Sequence, residues 1–293
     1  MSKIYDGIMG LVVGDAVGVP VEFRTRDTFN VTDMIGYGAY SQPPGTWSDD
    51  SSMTLATVES MARLGKIDAR DIMSNFARWL YENEFTPYGR VFDIGYTTRT
   101  AICNFKAGLD PKWCGGRKVS DNGNGSLMRI LPLAFTDCDD KTIDEIGALT
   151  HAHDISKTAC RMYIHIARDL LAGKKLKDII KEIPVERKEF SVLPLIGGMQ
   201  RNNVRSTGYV VYTLEAALWC ILNSKSYREC ILLAVNLGND TDTVAAVAGG
   251  LAGIIYGRGG DYGIPDAWID QIAKKEWIKE LCGQFAELFP KYD

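Results

Sequence analysis

The chain has 293 residues, 46% of them apolar and 24% charged, with a formal net charge of −4 at pH 7. That apolar density fills a substantial core and excludes intrinsic disorder, while the mild acidity, with no basic run longer than a pair, argues against a nucleic-acid binder. The seven cysteines, at positions 103, 114, 138, 160, 220, 230 and 282, form no CxxC pair. This excludes a zinc knuckle or thioredoxin-type redox site and fits a reducing, cytoplasmic setting.

Taken in chain order, the first apolar stretch is interrupted by Asp6 and Asp15, which spoils it as a signal peptide. Apolar residues then recur every three to four positions over 53–64, 71–82, 95–106, 154–172, 209–222, 227–235, 244–255 and 277–288. A further helical stripe is expected from Leu127. Alternating strand patterns of useful length are missing, so the expected class is all-α, with about ten or more helices. Breaks fall at Pro43–Gly45, Gly115–Gly125, Gly197–Asn203 and Gly257–Pro265. None has the extended Pro/Ser character of a linker, so residues 1–293 read as a single domain. The longest apolar run, Val244–Tyr256, is 13 residues, short of the roughly 20 that span a bilayer. No membrane or nucleic-acid partner is expected, and the chain reads as a monomer.

Two segments carry more oxygen than a helix start requires: Ser48-Asp49-Asp50-Ser51-Ser52 before one stripe, and Asn239-Asp240-Thr241-Asp242-Thr243 before another. Capping accounts for one such residue per helix, and carboxylates suit a first turn. Four carboxylates in two clusters repel one another unless a cation intervenes. If the two helix starts converge, they form a site for hard divalent cations, magnesium or manganese, which prefer oxygen ligands. With three histidines and dispersed cysteines in the chain, zinc and copper fit poorly. Whether the two starts meet does not follow from the residues alone.

The ordered set of motifs resembles the ADP-ribosylglycohydrolase family. Its pieces are Gly14-Asp15-Ala16 with Pro20-Val21-Glu22-Phe23, Ser48-Asp49-Asp50-Ser51, and Phe92-Asp93-Ile94-Gly95 with Thr97-Thr98-Arg99. Then follow Asn122-Gly123-Asn124-Gly125-Ser126 with Met128-Arg129, Thr150-His151, Gly208-Tyr209, Glu215 through Trp219, Asn236 through Thr243, and Ile264-Pro265 with Trp268. Each piece is weak by itself; their order over nearly the whole chain is specific.

The resemblance implies an all-helical fold with two Mg2+ or Mn2+ ions in a cleft. Ser48, Asp49, Asp50, Asp240, Asp242 and Thr243 would be the metal ligands, with Asp242 shared. Ser48 stands where the family usually has Thr and keeps the hydroxyl. Seven side chains, with Glu22 beside the ions, leave positions open on two octahedral ions, as a catalytic site requires. Glu22, Asp93 and Asp240 take the catalytic parts in this pattern. Asn122, Gly123, Gly125 and Ser126 would meet the pyrophosphate and ribose, since glycines let backbone amides approach an anion. His151 would position the ligand, and Tyr209 would either stack on a base or ribose or pack in the core.

The implied reaction is hydrolysis of the N-glycosidic bond between ADP-ribose and an arginine of a modified protein, releasing ADP-ribose. The same scaffold acting on serine-linked ADP-ribose, O-acetyl-ADP-ribose or an ADP-ribosylated small molecule is the alternative within enzymes. A non-catalytic ADP-ribose-binding protein is a second alternative, and an unrelated magnesium-dependent phosphohydrolase a third.

Overall fold

The computed structural model describes residues 2–292, and among these there are helices and loops but no sheet. In chain order the helices are α1 (Lys3–Gly18), α2 (Asp49–Leu64), α3 (Ala69–Glu82), α4 (Tyr96–Lys106), α5 (Pro111–Cys114) and α6 (Asp140–Ala148). They continue with α7 (Asp154–Leu171), α8 (Leu176–Glu182), α9 (Val210–Leu222), α10 (Tyr227–Val235), α11 (Thr241–Tyr256), α12 (Asp266–Ile269) and α13 (Lys275–Leu288). The all-α expectation holds, and every apolar stripe from 53 onward falls on a helix except that from Leu127. There the chain makes two short 3-10 turns, Leu127–Arg129 and Leu131–Phe135. Pro132 lacks an amide hydrogen and its ring clashes with the preceding turn, so an α-helix cannot run through it.

α1 and α11 share the most extensive helix–helix interface and lie antiparallel at the centre of the core. Their backbones touch because the seam is lined by small residues. A Cβ on Gly14 would lie 2.2 Å from the Ala245 carbonyl oxygen, and one on Gly18 would lie 2.5 Å from the Asp242 amide nitrogen. Glycine is therefore required at both positions, because any side chain would force the helices apart. The Tyr227 hydroxyl donates to the Gly10 carbonyl at 2.5 Å and that of Tyr163 to Val247 at 3.0 Å, pinning the seam from two sides.

By length and composition the segment Lys3–Val21 is apolar enough to cross a membrane, yet all of that window is buried in the fold. Its two carboxylates are both taken up internally. Asp6 pairs with Arg258 at 2.6 Å, and Asp15 holds the start of α2. The α1–α11 seam thus delivers the end of α1 to the start of α11, where the Thr241 hydroxyl donates to the Gly18 carbonyl at 2.8 Å.

Candidate active site

The two oxygen-rich helix starts converge. Ser48 caps α2 through its side chain, and its hydroxyl also donates to Asp50 at 3.1 Å. Asp15 braces this turn from α1. It accepts from the Ser48 amide at 3.0 Å, the Ser51 amide at 3.0 Å and the Ser51 hydroxyl at 2.5 Å. Four helix-start amides without intrahelical partners explain why a buried carboxylate suits that position. At α11 the logic is reversed. Asp240 occupies the N-cap position without capping; its carboxylate turns instead to the Asn124 amide at 2.8 Å. Thr243, one turn in, donates its hydroxyl to Asp50 at 3.3 Å and so ties the two starts together.

Two carboxylate triads follow, each with its oxygens within 4.8 Å of one another: Asp15, Asp50 and Asp242, and Glu22, Asp93 and Asp242. Asp242 is common to both. Oε2 of Glu22, Oδ1 of Asp50 and Oδ2 of Asp242 are buried without a hydrogen-bond partner among the described residues. A buried carboxylate oxygen with no donor is costly, so three in one cluster call for protons or a cation. Burial, and then neighbouring carboxylates, hold Asp49, Asp50 and Asp242 well above the usual aspartate range. Glu22 is pushed up to about 9, by burial first and the Asp93 charge second, against a lowering contact from the Tyr40 hydroxyl. Asp15 rises only to about 6, because the Ser51 and Ser48 bonds offset its burial. The free electron-pair donors are all oxygen, and among the described residues no Lys or Arg features in what shifts these carboxyls. Such a set fits a hard divalent cation.

The backbone around the cluster is held in uncommon conformations. Phe23, Asp93 and Asn239 have φ of 64°, 50° and 62°, each costing about 1–3 kcal/mol for a residue with a Cβ. Phe23 and Asn239 are locked together: the Phe23 amide donates to the Asn239 carbonyl at 2.7 Å, and the Asn239 amide to Arg24 at 2.8 Å. This pair sets Glu22 beside Asp240.

Above the cluster lies a cleft of about 380 Å3 lined by Glu22, Asp49, Asp93, Asp240 and Thr243, and on its other wall by the 123–125 loop and His151. Asp50 and Asp242 lie beneath it, fully buried. Of the residues singled out for the ligand, Gly123, Gly125 and His151 line the cleft. Asn122, Ser126 and Tyr209 do not. The Asn122 side chain is taken up by the Val119 carbonyl at 2.9 Å, His153 at 3.0 Å and the Ser156 hydroxyl at 2.9 Å. Ser126 is buried against Cys160, and Tyr209 packs edge-on against Tyr212, their ring centroids 4.9 Å apart. Because Leu127 opens only a single 3-10 turn, no helix dipole stands behind this loop.

Asn124 has no assigned role in the sequence reading, yet it bridges the Thr213 hydroxyl at 2.9 Å and Asp240 at 2.8 Å. Asp15, within the Gly14-Asp15-Ala16 motif, braces the start of α2. Both are signalled by lying inside short polar motifs, but their partners are tertiary.

Similarity to known proteins places this all-helical fold, with its carboxylate-lined cleft, in a class of glycohydrolases. The ADP-ribosylglycohydrolase family model matches residues 1–293, and the chain belongs to that family. It is 34% identical over 312 residues to the ADP-ribosylarginine hydrolase Tri1 of Serratia proteamaculans, covering 100% of this chain and 81% of that one. It is 30% identical over 288 residues to the ADP-ribosyl-[dinitrogen reductase] glycohydrolase of Rhodospirillum rubrum, covering 94% and 91%. A solved ADP-ribosylglycohydrolase-related protein complex superposes with a TM-score of 0.84 at 29% identity over 98% of each chain.

Proposed function

We propose that the chain removes ADP-ribose from mono-ADP-ribosylated arginine of a protein by hydrolysing the N-glycosidic bond, with Mg2+ or Mn2+ bound on the carboxylate floor. One observation carries the reading. Glu22, Asp49, Asp93 and Asp240 line one cleft directly over the unpartnered oxygens of Asp50 and Asp242, in a chain 34% identical to an ADP-ribosylarginine hydrolase.

Asp49, Asp50, Asp240 and Asp242, with the hydroxyls of Ser48 and Thr243, would hold two ions, and Asp242 would serve both. When bound, the ions neutralise the floor and supply Lewis acidity toward oxygen atoms of the substrate and water. The remaining chemistry belongs to the chain. Breaking the glycosidic C–N bond sends its electron pair to the guanidine nitrogen and leaves positive charge on the anomeric carbon. Asp93, held at the cleft wall by its unusual backbone, orients the guanidinium and keeps the departing nitrogen protonated. Glu22, buried beside Asp93, is ionised once the charge of the floor is neutralised. It takes the proton of the water whose oxygen bonds to the anomeric carbon and passes it by way of Asp93 to the departing guanidine nitrogen. Asn124 fixes the Asp240 carboxylate by its hydrogen bond. Gly123 and Gly125 admit the diphosphate close to the loop backbone, and His151 contacts the ligand from behind them.

The test uses EDTA-treated protein with arginine-linked and serine-linked ADP-ribosyl substrates, with and without added Mg2+ or Mn2+. Release of free ADP-ribose from the arginine-linked substrate alone, restored by the metal, is expected. Equal release from both linkages, release undiminished by metal removal, or phosphate as product would overturn the reading.

A further inference from the structure

Arg129 is completely buried and makes no ion pair among the described residues; its charge is met by a helix end and an aromatic face. Nη2 donates to the carbonyls of Ile146 at 3.1 Å and Gly147 at 3.3 Å, near the end of α6, and to the Thr150 hydroxyl at 2.8 Å. The guanidinium lies 4.8 Å from the Phe76 ring centroid. Among the described residues Nε and Nη1 have no acceptor. As packing alone this is poor design, because an apolar side chain of similar volume would fill the space without burying an unpaired charge.

What Arg129 touches explains its presence. A guanidinium can only donate, so the Thr150 oxygen must accept from it. The same oxygen lies 2.9 Å from Nδ1 of His151, and Thr150 is itself fully buried. If Nδ1 carried the hydrogen, the Thr150 hydroxyl proton would be left buried with no acceptor. Only one arrangement gives the Thr150 proton an acceptor: Arg129 donates to Thr150, and Thr150 donates to Nδ1. The ring hydrogen then sits on Nε2. This edge of the ring faces the glycine loop and cleft, since a Cβ on Gly123 would lie 3.3 Å from Nε2. Burial and the Arg129 charge both oppose a second ring proton, bringing His151 down to about 3.

We propose that Arg129 is a positioning residue of this cleft, acting through Thr150 to hold His151 as a neutral imidazole that presents an Nε2–H donor to an oxygen of bound ADP-ribose. The inference rests on the ADP-ribose reading of the cleft but not on the arginine linkage.

The test pairs 15N NMR of the His151 ring with calorimetric binding of free ADP-ribose to the full-length protein. In the unaltered protein the ring is expected to be neutral and protonated at Nε2 near neutral pH. A ring that is charged or protonated at Nδ1 overturns the proposal without any variant. Thr150→Val, which keeps shape and removes the bridge, is expected to mix the two tautomers and weaken ADP-ribose binding about tenfold, as for one lost hydrogen bond. Thr150→Ser should restore both readouts, which a purely structural role would not require. A Thr150→Val protein with native tautomer, or with mixed tautomers and native affinity, refutes the relay. If no form of the protein binds ADP-ribose while the ring is neutral and Nε2-protonated, the ligand reading fails instead.

Discussion

The Thr243 hydroxyl donates to the Asp50 carboxylate at 3.3 Å, joining residues 193 positions apart. Each lies in the first turn of its own helix, and the bond places two helix starts, both rich in carboxylates, face to face. Backbone amides at a helix start favour nearby anions, but the two sets of aspartates, together with Asp15, Glu22 and Asp93, repel one another. Asp242 is at the centre of this conflict, common to both carboxylate triads. Asp242→Asn removes one charge and keeps the shape. Turnover of ADP-ribosylarginine is expected to fall ~10²–10³-fold or more, as when a group organising transition-state charge is lost. Thermal unfolding of the metal-free variant should occur at or above the parental temperature, and the upward shift on adding Mg2+ or Mn2+ should vanish. Near-parental turnover by this variant would refute the metal assignment.

The carboxylates also set a pH dependence of unusual sign. Glu22 is raised from 4.5 to about 9, and Asp49, Asp50 and Asp242 stand well above 3.8. Between the unfolded and folded values the native metal-free protein holds more protons than the unfolded chain, so stability falls as pH rises through that window. His151, lowered from 6.5 to about 3, acts on the acid side only, where stability falls as pH drops below the unfolded value. Denaturant unfolding of EDTA-treated protein at about pH 7 and about pH 8 isolates the carboxylates. Lower stability at the higher pH is expected, and saturating Mg2+ should abolish or reverse the difference. A metal-free protein that gains stability over this interval contradicts the charge state of the floor.

Much of this site is legible in the sequence because its surplus is local. Ser48 through Ser52 and Asn239 through Thr243 hold more oxygen than one cap requires, and each precedes a clear helical stripe. α1 is not announced by periodicity, since it is buried on nearly every side and an all-round apolar helix has no polar face to mark its period. In the 122–126 loop the pattern misleads for a different reason. Asn122 and Asn124 look alike in an Asn-Gly repeat, but tertiary contacts consume the first in scaffolding and aim the second at Asp240. No short-range rule separates them, because the partners Ser156, Thr213 and Asp240 arrive from distant helices.

That contrast makes a direct test. Asn124→Ala leaves the Asp240 carboxylate without its amide donor, while the Thr213 hydroxyl keeps the Thr207 and Tyr209 carbonyls as acceptors. Activity is expected to fall ~10–100-fold, matching about 1.5–3 kcal/mol for a lost bond to a charged group. The melting temperature should change little, since the residue lies at the cleft rather than in the apolar core. Asn122→Ala should reverse the pattern, lowering stability more than turnover of the folded fraction. If both variants lose activity and stability in the same proportion, the division of roles within the loop is wrong.

A final prediction concerns what holds the two helix starts in place. Gly14→Ala puts a methyl group 2.2 Å from the Ala245 carbonyl oxygen, a contact that only separation of α1 from α11 can relieve. Overpacking of a rigid core costs about 1–3 kcal/mol and more where backbone must move. Because α11 begins the site, the same displacement should weaken metal binding. Gly283→Ala is the matched control, within the exposed face of α13, where an added Cβ meets nothing within 4 Å. There the substitution removes only the backbone freedom of glycine and should stabilise the protein by about 0.5–1 kcal/mol. The same chemical change is thus expected to shift the unfolding midpoint in opposite directions. A Gly14→Ala protein as stable as the parent would mean that α1 and α11 are not in backbone contact, and the geometry that brings Thr243 to Asp50 would lose its support.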